Sequence, residues 1–288
     1  MRKVFNQTWA LSSKSSWLVN HIHEAFVFFF ISFLDFRIAH GIVGKLDQEQ
    51  ARQFILFKYE NGAKWQTINN VYSALRKYFR ELLEYEWSTK KIKRPRRERT
   101  LPILINKEEV ELIIGHCNMY KYQVFISLLY STGLRLSEAL HLKLAHIDGR
   151  ACRIIVKKGK GFKDRYVNIP GKLLELLREY YQREKPKKYL FNGKKKGTVL
   201  APSSAQRSIR EAVKRAKILK QVSSHTFRHC FATHHLEEGT NIAYIQKQMG
   251  HKHLKTTARY INLSKTYHRS IVHPIETMNI EYMKKSRR

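Results

Sequence analysis

The sequence predicts a mainly α-helical protein with one small antiparallel β-sheet, divided into two domains by a basic linker. Three observations carry that expectation. Before residue 90, Ile68, Val71, Tyr72, Leu75, Tyr78, Phe79, Leu82 and Leu83 recur at helical spacing and make one apolar stripe. The stretch STKKIKRPRRERTLP, Ser88 to Pro102, is highly basic, bears two prolines and has too little apolar content to pack as an element of its own. Beyond it, only CRIIV and RYVNI, Cys152 to Val156 and Arg165 to Ile169, are strand-like, joined by the glycine-bearing hairpin loop KKGKGFKD.

Taken in order, three helices are expected first: Ser16 to His40, Asp47 to Asn61 closed by Gly62, and Lys64 to Trp87. After the linker, Asn106 followed by Glu109 resembles a capping box that opens a helix to Cys117. A helix from Lys121 to Thr132 ends at Gly133. The hairpin follows, and then helices over Lys172 to Glu184, Ser203 to Lys217, His225 to Glu238, Asn241 to Met249 and Leu254 to Asn262. The expected boundaries are 1–90 for the first domain, 91–102 for the linker and 103–288 for the second domain with its C-terminal tail. No internal repeat is seen.

Composition narrows the partners. The chain has 288 residues, 43% of them hydrophobic, with 55 Lys plus Arg against 23 Asp plus Glu and a formal charge of +32. So large an excess needs an anionic counterpart, and nucleic acid, whose condensed counterions are released on binding, is the first candidate. The best membrane candidate, AFVFFFISFL from Ala25 to Leu34, is far shorter than the roughly 20 apolar residues of a membrane span. It lacks a cleavage site too, so a cytoplasmic protein is expected. Cys117, Cys152 and Cys230 are odd in number, widely spaced and without a CxxC, which suggests neither a disulfide framework nor a cysteine zinc site. A positive linker between two basic domains suits a clamp around a polyanion.

Four patches could carry chemistry: TGLRLSEAL, KKGKGFKDR, HTFRH and MGHKHLKTTARYIN. On one continuous helix, Leu254, Ala258 and Ile261 would form the buried face and Tyr260 would point about 100° away from it. A tyrosine off the core stripe is a candidate nucleophile, because a phenol can form an ester with phosphorus once nearby cations ease removal of its proton. Phosphoryl transfer also needs donors aimed at the non-bridging oxygens, a task that suits arginine's planar fork. Arg228 and His225 share the first turn of a helix capped by Ser223 or Ser224, near the positive end of its dipole. Arg135 follows Gly133, and Glu138 three residues on can hold its guanidinium in place. Lys160, between two glycines at a hairpin tip, can reach a site and protonate a departing oxygen. His225 and His229 have the i, i+4 spacing of a zinc pair, with His234, His235, His251 and His253 as further ligands. There is no HExxH, however, and no carboxylate within HTFRH to activate a water, so no metal is expected.

In this order TGLR..E, GKG..KDR, H..RH..AT, GH and TT..Y resemble the tyrosine recombinases, the phage integrase and Xer recombinase family, over roughly Leu101 to Ser264. The resemblance implies a helical core-binding (SAM-like) DNA-binding domain followed by an α+β catalytic domain. It implies a site-specific DNA recombinase or integrase that cuts and rejoins strands through a 3′-phosphotyrosine intermediate and a Holliday junction. Tyr260 would attack the scissile phosphate, Arg135 and Arg228 would clamp its oxygens, and Lys160 would protonate the leaving 5′-oxygen. His225 and His251 would hydrogen-bond the phosphate and help move the tyrosine's proton, and Glu138 supports. Which histidine is the base stays open. No metal, nucleotide or other cofactor is implied. The partner is double-stranded DNA in the nucleoid, with four subunits on two synapsed duplexes and a monomer when free. The segment IVHPIETM, Ile271 to Met278, would pack on a neighbouring subunit. The alternative is a catalytically silent DNA-binding accessory protein of the same fold. The first helix departs from the family in its phenylalanine run, Phe26 to Phe30.

Overall fold

The structure is a computed structural model that describes residues 17–81, 83–90, 92–94, 101–157, 164–195 and 197–263, with backbone alone over 17–25. Lys160 and the segment Ile271 to Met278 lie outside the described residues. The chain divides into two compact units, Met1–Thr100 and Leu101–Arg288. Its described residues are mainly helical, with one three-stranded antiparallel sheet. Among the described residues no helix is long and apolar enough to cross a membrane.

Among the described residues of the first unit three helices, α1 (Trp17–Ala39), α2 (Gln48–Glu60) and α3 (Trp65–Glu81), pack around an aromatic core. Asp47 caps α2 by accepting the Gln50 amide at 2.8 Å, and Gly62 ends it in the left-handed region at φ +72°. The phenylalanine-rich helix feeds this core: Phe33 is fully buried, 5.5 Å from the Phe54 ring and 6.3 Å from Phe79, whereas Phe28 on another face is exposed. The α3 stripe is buried as its period demands at Ile68, Val71, Tyr72, Leu75 and Phe79, but Leu83 is exposed.

Helix α3 stops at Glu81, six residues before the expected Trp87. The backbone turns back, with Tyr85 N–H donating to the Phe79 carbonyl and Glu84 at φ +50°. Trp87 therefore reaches the core from outside the helix, its indole N–H donating to the Tyr72 hydroxyl at 3.3 Å. The expected linker also begins inside this unit. Ser88 exchanges two hydrogen bonds with the Gln48 side chain, Ile92 is buried, and Arg94 donates to Asn69 at 3.0 Å. Low overall apolar content hid one well-placed isoleucine and a buried glutamine.

The second unit is built around α5 (Tyr120–Thr132), preceded by α4 (Lys107–Gly115) and followed by the short α6 (Leu136–Leu140), which the sequence reading missed. Asn106 and Glu109 form the full capping box of α4. The strands β1 (Ile147–Asp148), β2 (Arg153–Val156) and β3 (Arg165–Asn168) lie in that order, with Ile154 opposite both Ile147 and Val167. Strand β1 was not expected: at two residues it is too short to carry an alternating pattern. Then come α7 (Gly171–Glu184), α8 (Pro202–Arg215), α9 (Ser224–Glu237), α10 (Ile242–Met249) and α11 (Leu254–Ala258). Helix α5 is central because Val124, Phe125, Ile126, Leu128 and Leu129 are all fully buried, which only a helix covered on several sides can achieve. It packs on α9 and α7, while α10 lies against β3. A smaller apolar cluster of Phe231, Ala232, Leu236, Ile245, Met249 and Tyr260 gathers between α9, α10 and the segment after α11.

That last segment corrects an expectation. The α-helix ends at Ala258, and a turn and a 3₁₀ helix, Ile261–Leu263, replace the single helix read over Leu254 to Asn262. The amide of Tyr260 donates to the Thr257 carbonyl and that of Leu263 to the Tyr260 carbonyl, both i to i+3. Tighter winding aligns residues three apart, so Thr257 and Tyr260 form the inward face, while Leu254 is exposed. Tyr260, placed off the core by the helical projection, is 2% exposed.

Candidate active site

The cationic side of the site starts at the end of α5. Gly133 terminates that helix at φ +62°, and a Cβ there would lie 2.6 Å from the Phe231 ring, so glycine is required for both conformation and space. This sharp exit puts Arg135 at the N-terminus of α6, where Glu138 accepts its backbone N–H at 2.9 Å and its guanidinium at 2.8 Å. The same carboxylate is gripped from β3: Arg165 donates Nη1 to Oε1 at 2.9 Å and Nη2 to Oε2 at 2.8 Å, a parallel fork. Burial opposes the charge on Glu138, but the two arginines prevail and hold its carboxyl down at about 2.

Arg165 also joins the sheet to α10. Its Nε donates to the Gln248 carbonyl at 3.1 Å, and the Gln248 side chain bonds both the amide and the carbonyl of Asn168 on β3. Gly250, at φ +65°, leaves room for this: a Cβ there would sit 2.8 Å from Cδ and Nε of Arg165.

Arg228 lies one turn into α9, which Ser223 and Thr226 cap reciprocally. It is 4% exposed, donating Nη1 to the Gly133 carbonyl and Nη2 to the Met249 carbonyl at 2.7 Å and to Nε2 of His251 at 3.0 Å. Burial, then the neighbouring Arg135, brings its pKa down to about 10, so it stays charged at neutral pH. His251 follows Gly250 and has its other nitrogen, Nδ1, 2.9 Å from the Thr257 hydroxyl.

On the phenol side, the Tyr260 hydroxyl is 2.9 Å from Nδ1 of His229, and its ring stacks 6.4 Å from that of His251. Burial raises the phenol's pKa, and Arg228, Arg259 and Arg135 act against it, with burial the stronger. His229 and His251 are both pushed down to about 4 by burial, and then by Arg259, His225 and Arg228 for the first and by Arg228, Arg135, Arg259 and Arg165 for the second. His225 is exposed, and partial desolvation followed by Arg228 and Arg135 lowers its pKa.

The fold thus brings Arg135, Glu138, Arg228, His251 and Tyr260 into one linked cluster with His225 at its edge, 6.4 Å from His229 ring to ring. The sequence reading missed Arg165, Gln248 and Thr257, and it weighed His229 only as half of a zinc pair. Among the described residues no group of three or more His, Cys, Asp or Glu converges as metal ligands do. Among the described residues the guanidinium groups of Arg228, Arg135 and Arg259 act on the buried phenol, and Arg165 joins them around His251, with Glu138 as the carboxylate that two of them bind. Such an excess of fixed donors is suited to one anionic group with several oxygens, such as a phosphodiester.

This chain belongs to the phage integrase family, whose sequence model matches residues 104–266. It is 38% identical over 206 residues to a tyrosine recombinase of Thermosipho africanus, covering 69% of this chain and 72% of the relative. It is 34% identical over 226 residues to the tyrosine recombinase XerA of Thermococcus onnurineus, covering 77% and 79%. Among curated relatives the matched stretch spans from 65% to 81% of their own lengths. The fold is also that of a lambda integrase solved as a dimer on a core site, with a TM-score of 0.70 at 13% identity over 90% of this chain and 94% of that one.

Proposed function

We propose that this protein is a site-specific DNA recombinase that cuts and rejoins DNA strands through Tyr260. The observation that carries the reading is the placement of one buried phenol, hydrogen-bonded to an imidazole, beside Arg228, Arg135 and Arg259. Named tyrosine recombinases among the relatives support it, as do solved proteins of this fold in complex with DNA, XerH on its difH substrate and lambda integrase on a core site. The charge of +32 supplies the attraction to a polyanion.

In this reading Arg135 and Arg228 bind the non-bridging oxygens of the scissile phosphate, and Glu138, itself clasped by Arg165, fixes the first of them. Their charges are most useful where negative charge accumulates on phosphorus oxygens in the transition state. Tyr260 forms a bond to phosphorus as the 5′-oxygen leaves, giving a 3′-phosphotyrosine link and a free 5′-hydroxyl. Lys160 protonates that oxygen. The energy of the phosphodiester stays in the covalent link, so rejoining to a partner strand, through a Holliday junction, needs no nucleotide. Four subunits on two synapsed duplexes carry out the exchange, from a chain that is monomeric when free.

The test incubates the protein with nicked duplexes of randomised core sequence in EDTA and resolves covalent adducts on a denaturing gel. The wild-type chain captures a subset of these duplexes, whereas Tyr260→Phe binds the same duplexes and captures none. Capture by the phenylalanine variant contradicts the reading. Binding without capture by the wild type favours a silent DNA-binding protein instead.

A further inference from the structure

We infer that His229 is a further catalytic residue of this reaction, the group that receives the Tyr260 proton as the phenol attacks phosphorus. The inference rests on the recombinase reading and deepens it, because neither His225 nor His251, the two histidines that the family resemblance implicates, has a free lone pair on the phenol in this structure.

The argument starts with hydrogen-bond polarity. A guanidinium can only donate, so Nε2 of His251, 3.0 Å from Arg228 Nη2, must be the accepting nitrogen. Its proton is therefore on Nδ1, where it faces the Thr257 hydroxyl at 2.9 Å. Both nitrogens of His251 are committed, and its ring stacks alongside the tyrosine ring rather than end-on to the hydroxyl. His225 is exposed and stands one helical turn away from His229 on α9. His229 is the group in hydrogen-bond reach: its Nδ1 is 2.9 Å from the phenol oxygen, the separation a proton transfer requires.

The surroundings fix that geometry. Arg228 on one side is buried and bound to two backbone carbonyls, and Cys230 on the other is buried against both backbone groups of Ile105. The backbone of His229 is thus held on both flanks. The charged and titratable groups facing the imidazole are Arg259 from the segment after α11 and Arg228 and His225 from α9. Burial first, and then these neighbours, keeps the resting ring neutral and able to accept. A phosphate drawn into the site adds negative charge, which favours the imidazolium that forms during attack.

The step balances. The O–H bond of Tyr260 breaks and its proton moves to Nδ1 of His229, while the oxygen's electron pair forms the new O–P bond. The P–O5′ bond breaks, and its electron pair leaves on the 5′-oxygen, which takes a proton from the Lys160 ammonium of the recombinase reading. On rejoining, the 5′-hydroxyl returns its proton to Lys160 and the imidazolium returns its own to the phenol.

The test uses the full-length chain and a duplex captured by the wild type from the randomised pool, in single-turnover adduct formation from pH 5 to 9. Expected is a wild-type rate nearly level over this range, because the His229 imidazole is already neutral above a pKa of about 4, and a His229→Gln variant slower by about 10²-fold or more. The variant's rate climbs about tenfold per pH unit without levelling, as hydroxide substitutes for the missing base. Imidazole in the buffer raises adduct formation by His229→Ala and leaves Tyr260→Phe inert. A 5′-bridging sulfur at the scissile position, a leaving group that needs no proton, leaves His229→Gln slow. Variants that keep the wild-type rate, or that slow uniformly with an unchanged pH profile and no imidazole rescue, overturn the assignment, as does restoration of His229→Gln by the sulfur. If His229→Ala does not fold, the pH profile and the sulfur substrate with His229→Gln decide alone. Absence of any wild-type adduct overturns the recombinase reading itself, which separates the two failures.

Discussion

The two sides of the site are held by different physics. On the cationic side Glu138 clasps Arg135 and Arg165, and Arg228 is fastened to the carbonyls of Gly133 and Met249, so each charge has a fixed partner before any ligand arrives. On the phenol side Tyr260 and His251 rest on hydrogen bonds between neutral groups, through His229 and Thr257, at the junction of a five-residue helix and a 3₁₀ turn. Fixed charges stabilise a transition state best when they need not reorganise, whereas a nucleophile must change its bonding partner as it reacts. Strong bonds thus hold what stays and weaker ones hold what moves.

The sharpest way to break the cationic side is Arg228→Ala. It strands two buried carbonyls and an imidazole, and a loss of about 4 kcal/mol in denaturant unfolding is expected together with a roughly 10³-fold fall in adduct formation. Glu138→Gln leaves two guanidinium groups poorly compensated and should cost about 3 kcal/mol in the same assay.

Acid separates the sides along the pH axis. His229 and His251 have folded pKa values of about 4, below their ordinary 6.5, so the stability they contribute is full above pH 6.5 and is lost as pH falls towards 4. Glu138, at about 2 against 4.5, contributes fully above pH 4.5 and loses its share only below it. Unfolding free energy should therefore fall as pH drops below 6.5, and His229→Gln should reduce that slope by about 1.4 kcal/mol per pH unit, the share of one proton. An unchanged slope in the variant would mean that His229 is charged at rest.

Gly250→Ala tests the join between the sides. Its positive φ and the 2.8 Å approach to Arg165 predict about 2 kcal/mol of destabilisation in denaturant unfolding. The smallest effect is Thr257→Val, which removes the partner of His251 Nδ1 at about 1 kcal/mol and weakens adduct formation more than stability.

Local spacing made part of this legible. The capping box at Asn106 and Glu109, the left-handed Gly133 and the three-residue reach from Arg135 to Glu138 all depend on neighbours in the chain, and each is present in the fold. The bonds that complete the site span far more chain: Arg165 reaches Glu138 across 27 residues, and His229 reaches Tyr260 across 31. Periodicity carries no information about such pairs. It misled at Tyr260 in particular, because a 100° projection assumes an α-helix that in fact ends at Ala258. Trp87 was misplaced for the same reason: its apolar character fitted the stripe, but the chain delivers it to the core by turning back.

In the proposed reaction the Tyr260 oxygen becomes bonded to DNA phosphorus. The most direct measurement traps the adduct in EDTA, digests the protein and the DNA, and locates the remaining nucleotide by peptide mass spectrometry. Expected is a nucleotide joined through its 3′-phosphate to the peptide that contains Tyr260. A nucleotide on any other residue, or strands cut to a 3′-hydroxyl and 5′-phosphate with no peptide attached, would contradict it.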